Sequence, residues 1–349
     1  MQQFTRSFAT CVAALCVLVS SGMAQLRPDR TFYGLDRTIP MQATDPGGFD
    51  GGMSIRLLTP SNDEVAMAPV VAGGVDLAAL FPTLWTDKVN EVRYAQLAIG
   101  GEPVGPAVVL QPMTSPDTAS LLDPQTLSPA ANPRAGRVTF ESRRMEILHQ
   151  AGVAPSAERP ITFSGLRAWV DRHVVLETSK GEIEIALRPD VAPNTCWNFV
   201  VLAEGGFYTS IEVHRIVAAL PNGYPFVIQA GDPTGTGSGG PGYFIDLENS
   251  DLPHDYGVVS MARSGNPNSN GSQFFICLSR EGTKALDGSY TAFAEVVRGV
   301  ATISAISAAE VDNSRPLNPP LIDTARTIPA PPRGTGPARV SAPGADTQR

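Results

Sequence analysis

The amino-acid sequence predicts a mainly β protein, and three observations carry this prediction. Glycine and proline are both frequent, with 33 and 31 residues in a chain of 349, which indicates many turns. Within residues 182–187 apolar side chains occupy every second position, the pattern of a strand with one buried face. The pair Gly100-Gly101 separates two apolar runs, 92–99 and 108–111, as in a tight hairpin.

The charge balance limits the classes of partner. The chain has 26 basic and 34 acidic residues, and its lysines and arginines form no cluster along the sequence. Non-specific binding to nucleic acid requires clustered cations that displace counterions from phosphates. We therefore expect no nucleic-acid partner.

Residues 1–24 have the layout of a secretory signal peptide. Arg6 precedes an apolar run at residues 9–19, and small residues follow up to Ala24. The run is short for a bilayer span. We therefore expect export to the periplasm or the cell exterior, with membrane attachment only if the segment stays uncleaved.

Composition divides the remaining chain into four parts. Residues 25–113 are predicted to form a small β-rich module of unknown role. Residues 114–172 are predicted to be a connector rich in Pro, Ala and Ser plus a strand near 161–170, which the sequence assigns to neither neighbour. Residues 173–328 show the clearest periodicity, and the Pro-rich residues 329–349 are predicted to be disordered because they contain too few apolar side chains to pack.

Residues 173–328 begin with a predicted hairpin and a predicted helix. The hairpin turns at residues 179–181 and continues into the alternating run described above. Pro193 begins a helix whose apolar residues follow the i, i+3, i+4, i+7 rule, and Gly205-Gly206 ends it. A second helix is predicted near residues 301–309 and a last strand near 321–328.

Three glycines, Gly235, Gly237 and Gly240, match the G-x-G-x-x-G spacing of dinucleotide-binding loops. A predicted strand at 226–229 precedes them, but residues 241–247 look extended rather than helical. Because the phosphate is held at a helix N-terminus, we interpret these glycines as a rim loop and expect no nucleotide cofactor.

No metal or other cofactor is predicted either. Loss of residues 1–24 would leave Cys196 and Cys277, each in an apolar segment. Buried free thiols are favoured, and a single disulfide is the alternative. The four histidines are too scattered for the close pairing that zinc requires; they are His149, His173, His214 and His254.

Four ordered stretches make residues 173–328 similar to the cyclophilin-type peptidyl-prolyl cis–trans isomerases. They are Val213–Ile216, Phe226–Asp232, Val259–Ile276 and Leu286–Phe293. The resemblance implies a closed antiparallel barrel of eight strands with a helix capping each end. It also implies that the protein accelerates rotation about X-Pro bonds in proline-containing segments of folding proteins.

The same resemblance implies the residues of the site. Arg215 would donate a hydrogen bond to the prolyl nitrogen, with Phe226 and Gln229 completing the catalytic set. One member of the tandem pair Phe274-Phe275 is expected in the barrel core, because alternate residues of a strand face opposite ways. The residues implied to bind the substrate are Phe275, Leu286, Ala262, Arg263, Gln273, Val227, Tyr290 and His214.

Three functions compete at this point. The first is an exported isomerase that assists protein folding, and the second is a catalytically weak peptide-binding or scaffold module of the cell envelope. The third is a structural envelope protein in which the barrel is only a docking surface. The stretch between Arg215 and Phe226 is several residues longer than is usual in the family. Together with the unexplained module at 25–113, this insertion supports the second function.

Overall fold

The computed structural model of the protein describes residues 25–86, 91–114, 118–120, 137–139 and 163–343. The predicted signal peptide and most of the predicted connector lie outside the described residues. The described part is mainly β with few helices, which confirms the predicted fold class. None of the helices in this part is long and apolar enough to cross a membrane.

The N-terminal part is built from short antiparallel strands. Its elements are β1 (Leu26–Pro28), β2 (Phe32–Gly34), β3 (Pro40–Ala43), β4 (Met53–Leu58), β5 (Glu64–Val70), β6 (Gly73–Asp76), α1 (Leu77–Leu80), α2 (Thr83–Thr86), β7 (Arg93–Ile99), β8 (Glu102–Pro103), β9 (Val108–Thr114), β10 (Thr118–Ser120), β11 (Arg137–Thr139) and β12 (Phe163–Val170). A seven-stranded sheet has the order β2-β12-β9-β7-β4-β5, with β8 paired to β7, and a three-stranded sheet has the order β1-β3-β6. Strands β10 and β11 pair with each other.

This sheet contains the tight turn that the sequence predicted and the strand that the sequence left unassigned. Gly100 and Gly101 form the predicted tight turn between β7 and β8, and both have positive φ angles, +60° and +92°. A Cβ at Gly100 would lie 2.2 Å from the carbonyl oxygen of Asp50, so a side chain is excluded there. The strand that the sequence left unassigned is β12, which pairs with β9 and β2 and therefore belongs to the N-terminal sheet.

Residues 172–329 form a second, larger sheet. Its elements are β13 (Arg172–Thr178), β14 (Gly181–Leu187), α3 (Pro193–Glu204), β15 (Ile211–Glu212), β16 (Arg215–Val217), β17 (Val227–Ala230), β18 (Val258–Met261), β19 (Phe274–Cys277), α4 (Arg280–Thr283), a 3₁₀ turn (Lys284–Leu286), β20 (Ala292–Arg298), α5 (Val300–Ser307), β21 (Val311–Asp312), β22 (Arg315–Pro316) and β23 (Leu321–Pro329). Nine strands pair in the order β15-β23-β13-β14-β20-β18-β19-β17-β16, and β21 pairs with β22. The count of nine differs from the predicted eight because residues 213–214 separate β15 from β16.

The predicted elements of this domain are confirmed where the sequence pattern was strongest. Strands β13 and β14 form the expected hairpin, with Leu176 opposite Ile183. Helix α3 begins at the predicted proline, and Gly205 caps its C-terminus. Phe199 projects from α3 into the sheet interior, where its ring centre lies 5.3 Å from that of Phe274. The helix therefore anchors one end of the curled sheet through aromatic packing.

Both cysteines of the described chain are buried free thiols, the favoured alternative from the sequence. The Sγ atom of Cys196 on α3 donates a hydrogen bond to the backbone carbonyl of Phe293, 3.2 Å away. Burial raises the pKa of Cys196 and of Cys277 above the usual thiol range. Both thiols therefore remain protonated and behave as apolar core residues.

The N-terminal sheet has a hydrophobic core of its own, and the core of the larger domain also extends onto it. Tyr94 of the N-terminal sheet belongs to the same buried cluster as Val174 and Cys196 of the larger domain. At the boundary, the ring centres of Trp169 on β12 and Trp197 on α3 lie 5.9 Å apart. The N-terminal part is thus packed against the larger domain along α3.

Residues 330–343 of the Pro-rich tail, which the sequence predicts to be disordered, contact both sheets in the structure. The backbone N–H of Arg333 donates to the buried side chain of Gln96 in the N-terminal sheet, at 3.0 Å. Further along, the N–H of Val340 donates to the carbonyl of Val296 at 2.9 Å. The tail has few apolar residues, of which Val340 and Ala342 pack against the core of the larger domain. Its backbone groups and arginines also have specific polar partners on both sheets.

Candidate active site

The candidate site lies on one face of three neighbouring strands, β16, β17 and β19. Arg215 on β16 is directly opposite Gln229 on β17, and Gln229 is opposite Phe275 on β19. Residues that are opposite each other in adjacent strands point to the same face. The ladder register therefore places a cation, an amide and an aromatic ring side by side.

These side chains line a cavity of about 270 Å³, called here the proline-sized pocket. Phe275 forms its floor and is only 4% exposed. Tyr290 meets Phe275 edge to face, with ring centres 5.8 Å apart. The full lining of the pocket is Arg215, Phe226, Val227, Gln229, Ala262, Arg263, Phe275, Leu286 and Tyr290.

The tandem phenylalanines divide as the alternation rule predicts. Phe275 faces the pocket, whereas Phe274 is 2% exposed and lies in the core beside Phe199 and Tyr208. The expectation that one member of the pair belongs to the core is therefore confirmed, and the structure identifies that member as Phe274.

A chain of hydrogen bonds fixes the guanidinium of Arg215. Its Nη1 atom donates to Oε1 of Gln229 at 3.0 Å, and Nε2 of Gln229 donates to Oε1 of Gln273 at 3.0 Å. Nε2 of Gln273 in turn donates to the carbonyls of Gly237 and Gly239. Each link is neutral apart from the guanidinium, so the chain orients the cation without cancelling its charge.

The glycine-rich loop forms the wall of a second cavity, called here the side cleft, of about 360 Å³. Asp232 shapes the loop: its carboxylate accepts hydrogen bonds from the N–H groups of Thr234 and Gly237. No helix begins between the glycines and β18, so the loop offers no helix N-terminus to a phosphate. The side cleft is lined by Gln229, Gly237, Ser238, Gly239, Gly240, Phe244, Ala262, Arg263, Ser264, Ser269, Gly271, Ser272 and Gln273.

The structure does not bring every predicted residue into the site. His214, expected at the substrate, is 6% exposed and lines neither cavity. A Cβ placed on Gly237 would lie 3.8 Å from its ring, so His214 lies beneath the glycine loop. Burial lowers the pKa of His214, so the ring is neutral at physiological pH. In this structure His214 therefore lies against the glycine loop and outside the groove.

The insertion between Arg215 and Phe226 leaves the site open. It extends the β16–β17 hairpin and is closed by hydrogen bonds between Leu220 and Tyr224 and between Gly223 and Leu220, both 2.8 Å. The proline-sized pocket has no lining residue from within the insertion. The insertion therefore neither displaces Arg215 from the groove nor blocks the pocket.

Sequence reasoning missed a group of polar residues behind the pocket floor. His254 is 1% exposed, and its ring stacks on Phe275 with centres 6.0 Å apart and planes 20° from parallel. Its Nδ1 lies 3.0 Å from a carboxylate oxygen of Asp287, and its Nε2 lies 2.9 Å from the hydroxyl of Ser260. Since Asp287 follows Leu286 in the pocket wall, His254 connects the floor to that wall.

Comparisons with known proteins identify the family of the domain that contains this site. The family model described as cyclophilin type peptidyl-prolyl cis-trans isomerase/CLD matches residues 173–327. "Peptidyl-prolyl cis-trans isomerase ppi1" of Schizosaccharomyces pombe is 44% identical over 153 residues, which cover 42% of this chain and 93% of that protein. "Peptidyl-prolyl cis-trans isomerase" of Synechococcus elongatus is 46% identical over 121 residues, or 35% of this chain and 77% of that protein.

A crystal structure of a cyclophilin type isomerase from Cryptosporidium parvum is 33% identical, with a TM-score of 0.42, and the match covers 46% of this chain and 99% of that one. From the sequence relationship, the chain belongs to the cyclophilin-type peptidyl-prolyl cis–trans isomerase family. Residues 173–327 are its isomerase domain. The N-terminal sheet lies outside the matched region.

Proposed function

We propose that the protein accelerates rotation about X-Pro bonds in exported polypeptides and so assists their folding, with Arg215 as the catalytic donor. The observation that supports this proposal is the oriented guanidinium of Arg215 at the edge of a pocket whose floor is the ring of Phe275. The Cζ atom lies 5.9 Å from the ring centre of Phe226, and the bond to Gln229 fixes its direction. A prolyl ring in the pocket would therefore present its nitrogen beside a permanent cation.

The chemistry follows from the electronic structure of the amide. Rotation breaks the resonance of the X-Pro bond and crosses a barrier of about 18–20 kcal/mol, so the uncatalysed step takes roughly tens to hundreds of seconds. In the twisted form the prolyl nitrogen recovers a lone pair, which a hydrogen bond from Arg215 stabilises. Each tenfold acceleration requires about 1.36 kcal/mol, and reaching milliseconds requires roughly 6 kcal/mol.

The neighbouring residues have distinct roles in this proposal. Phe226, Phe275 and Leu286 hold the prolyl ring by apolar contact. Gln229 holds a substrate carbonyl, because its Nε2 carries two hydrogens and only one is used for Gln273. Guanidinium groups keep their proton across the physiological range, so Arg215 acts as a donor and never as a proton shuttle.

We further infer that the strands of the isomerase sheet form a closed eight-stranded barrel. Strands β15 and β16 are the two ends of the hydrogen-bonded order and follow one another in the chain. The N–H of Val213, between them, donates to the carbonyl of Pro320, 2.8 Å away. Counting β15 and β16 as one continuous strand gives eight strands and leaves no free edge.

Export is proposed from the sequence of residues 1–24, whose layout is that of a cleaved signal. The protein would then act in the periplasm or outside the cell. N-terminal sequencing of the mature protein tests this, and a chain that begins near Gln25 is the expected result. An intact Met1 in a membrane fraction would refute cleavage.

The isomerase proposal is tested by timing cis-to-trans conversion of an Ala-Pro-Phe peptide by NMR exchange. Wild type is expected to accelerate conversion, and Arg215→Ala is expected to lose about 100-fold or more in kcat/KM. Arg298→Ala is the matched control, because the side chain of Arg298 is 74% exposed on β20. If folded wild-type protein binds the peptide without accelerating conversion, the protein is the weak peptide-binding module instead.

A further inference from the structure

We propose that Arg263 makes the groove selective for prolines that have an acidic residue one or two positions away. This proposal rests on the proposed function, since it assigns the substrate class of the same groove. Arg263 lines both the proline-sized pocket and the side cleft, and it shares that position with Gln229 and Ala262 alone. A peptide that occupies both cavities must therefore pass beside its side chain.

Neutral partners hold the guanidinium of Arg263 in place. Its Cζ lies 4.6 Å from the ring centre of Tyr290. Nε donates to the carbonyl of Ser289 at 2.9 Å, and Nη1 donates to the carbonyl of Ser264 at 3.0 Å. A guanidinium has five N–H donors, so three of them have no partner among the described residues.

The groove contains cations without counter-ions. Among the described residues, no carboxylate lies within 4.0 Å of Arg215 or Arg263, and neither cavity is lined by Asp or Glu. Other arginines of the same domain are paired with carboxylates at 2.6–3.1 Å; they are Arg280 with Asp287, Arg339 with Asp255 and Arg315 with Glu212. The groove is thus a cationic region on a chain whose net charge is −8.

A carboxylate is the ligand that this geometry fits. The guanidinium fork matches a carboxylate with two parallel hydrogen bonds, and the stack on Tyr290 limits the rotation of Arg263. The distance between the prolyl ring and the carboxylate depends on how many peptide residues separate them, because an extended peptide advances about 3.3 Å per residue. The two cavities share Gln229, Ala262 and Arg263 in their walls and so are adjacent, and we therefore assign the acidic residue to one or two positions from the proline.

The test compares peptides that differ only in one side chain. A Glu, a Gln or a Lys is placed at each of the two positions before and after the proline of an otherwise alanine-containing peptide. Both kcat/KM and Kd are measured by NMR with the full-length protein at about 0.01 M and about 1 M ionic strength, where the screening length falls from about 30 Å to about 3 Å. The protein variants are Arg263→Gln, Arg263→Lys and the exposed control Arg298→Gln.

For at least one placement, we expect kcat/KM for the Glu peptide to exceed that for the Gln peptide by about threefold to tenfold at low salt. The Lys peptide should have a lower kcat/KM than the Gln peptide. The preference for the Glu peptide over the Gln peptide should become smaller at high salt. It should disappear in Arg263→Gln, survive partly in Arg263→Lys and remain complete in Arg298→Gln. Equal values for Glu and Gln at every placement, or a preference that persists in Arg263→Gln, would overturn the assignment.

The two proposals fail separately in this design. Acceleration of the neutral peptide without any preference for Glu contradicts the role of Arg263 and leaves the isomerase proposal intact. If no peptide is accelerated, the isomerase proposal fails, and the ratio of the Kd values for the Glu and Gln peptides decides the role of Arg263.

Discussion

Arg215 and Gln229 lie directly opposite each other on two neighbouring strands, and a hydrogen bond of 3.0 Å joins Nη1 of the arginine to Oε1 of the glutamine. Gln229 has a second partner in Gln273, which is held by two carbonyls of the glycine loop. The direction of the guanidinium is therefore determined by the strand register and by a loop that is remote in sequence. Replacing Gln229 therefore tests how the orientation of Arg215 affects the reaction without changing the charge of Arg215.

Replacing Gln229 with Leu should lower kcat by about tenfold, because Arg215 keeps its charge but loses the acceptor that directs its fork. KM should also rise, because the substrate carbonyl loses the Nε2 donor of Gln229. It should rise by a smaller factor, since Phe226, Phe275 and Leu286 remain in the pocket. NMR exchange at several concentrations of an Ala-Pro-Phe peptide separates the two constants. Gln42→Leu, at an exposed position on β3, is the matched control. An unchanged kcat in Gln229→Leu would show that Arg215 orients itself without this bond.

His254 should make stability depend on pH through its buried ring. Burial lowers its pKa, so the folded protein favours the neutral ring while the unfolded chain binds a proton near pH 6.5. The stabilising contribution of His254 is therefore complete above about pH 6.5 and is lost as the pH falls below it. Urea unfolding at several pH values should show that the difference in unfolding free energy between wild type and His254→Gln shrinks in this range. A difference that is constant from pH 8 to pH 5 would contradict this account.

Most of the residues that the sequence predicted for the site line one pocket, and the prediction was most direct where the signal was local. Arg215 and Phe226 lie in short motifs, and strand alternation correctly divided Phe274 from Phe275. The same alternation explains why His214 lines neither cavity: consecutive residues of an extended chain point to opposite faces, so placing Arg215 in the groove turns its neighbour away from it.

Features that depend on distant partners were not predictable in this way. His254 contacts Asp287, which is 33 positions further along the chain. No sequence pattern near either residue predicts this contact. The tail was predicted to be disordered from its low apolar content, yet Arg333 is held by polar groups of the N-terminal sheet. The amino-acid composition of a segment indicates how much apolar surface it can bury. It does not indicate which polar groups elsewhere in the protein the segment will contact.

Replacing Arg333 with Gln should reduce the free energy of unfolding by about 1–3 kcal/mol. Its Cζ lies 3.8 Å from the ring centre of Tyr94, its Nε donates to Asn62 at 2.8 Å, and its Nη2 donates to the carbonyl of Pro60 at 2.7 Å. Urea unfolding followed by tryptophan fluorescence measures the loss, because Trp169 and Trp197 lie at the boundary between the sheets.

The exposed control for this change is Arg298→Gln, which should stay within about 0.5 kcal/mol of wild type. If Arg333→Gln behaves like this control, the tail contacts contribute nothing to stability, and the N-terminal sheet is held by its apolar core alone.

Asp171 should oppose folding as the pH rises. Burial raises its pKa to about 7, and the positive charge of Arg333 and a hydrogen bond from the N–H of Arg172 only partly offset this effect. The folded protein therefore binds a proton that the unfolded chain has released above about pH 4. The stability associated with the protonated carboxyl is complete below about pH 4 and is lost as the pH rises through about 7.

Replacing Asp171 with Asn removes this titration while keeping an oxygen that can accept from Arg172. In urea unfolding, the variant should gain stability over wild type as the pH rises from 5 to 8, by an amount on the order of a few kcal/mol. Asp323→Asn, at an exposed position on β23, should show no such trend. Because Arg333 lowers the pKa of Asp171, the single variant Arg333→Gln should extend the loss of stability to higher pH. A variant Asp171→Asn whose advantage is the same at pH 5 and pH 8 would show that the carboxyl is ionised in the folded protein throughout this range.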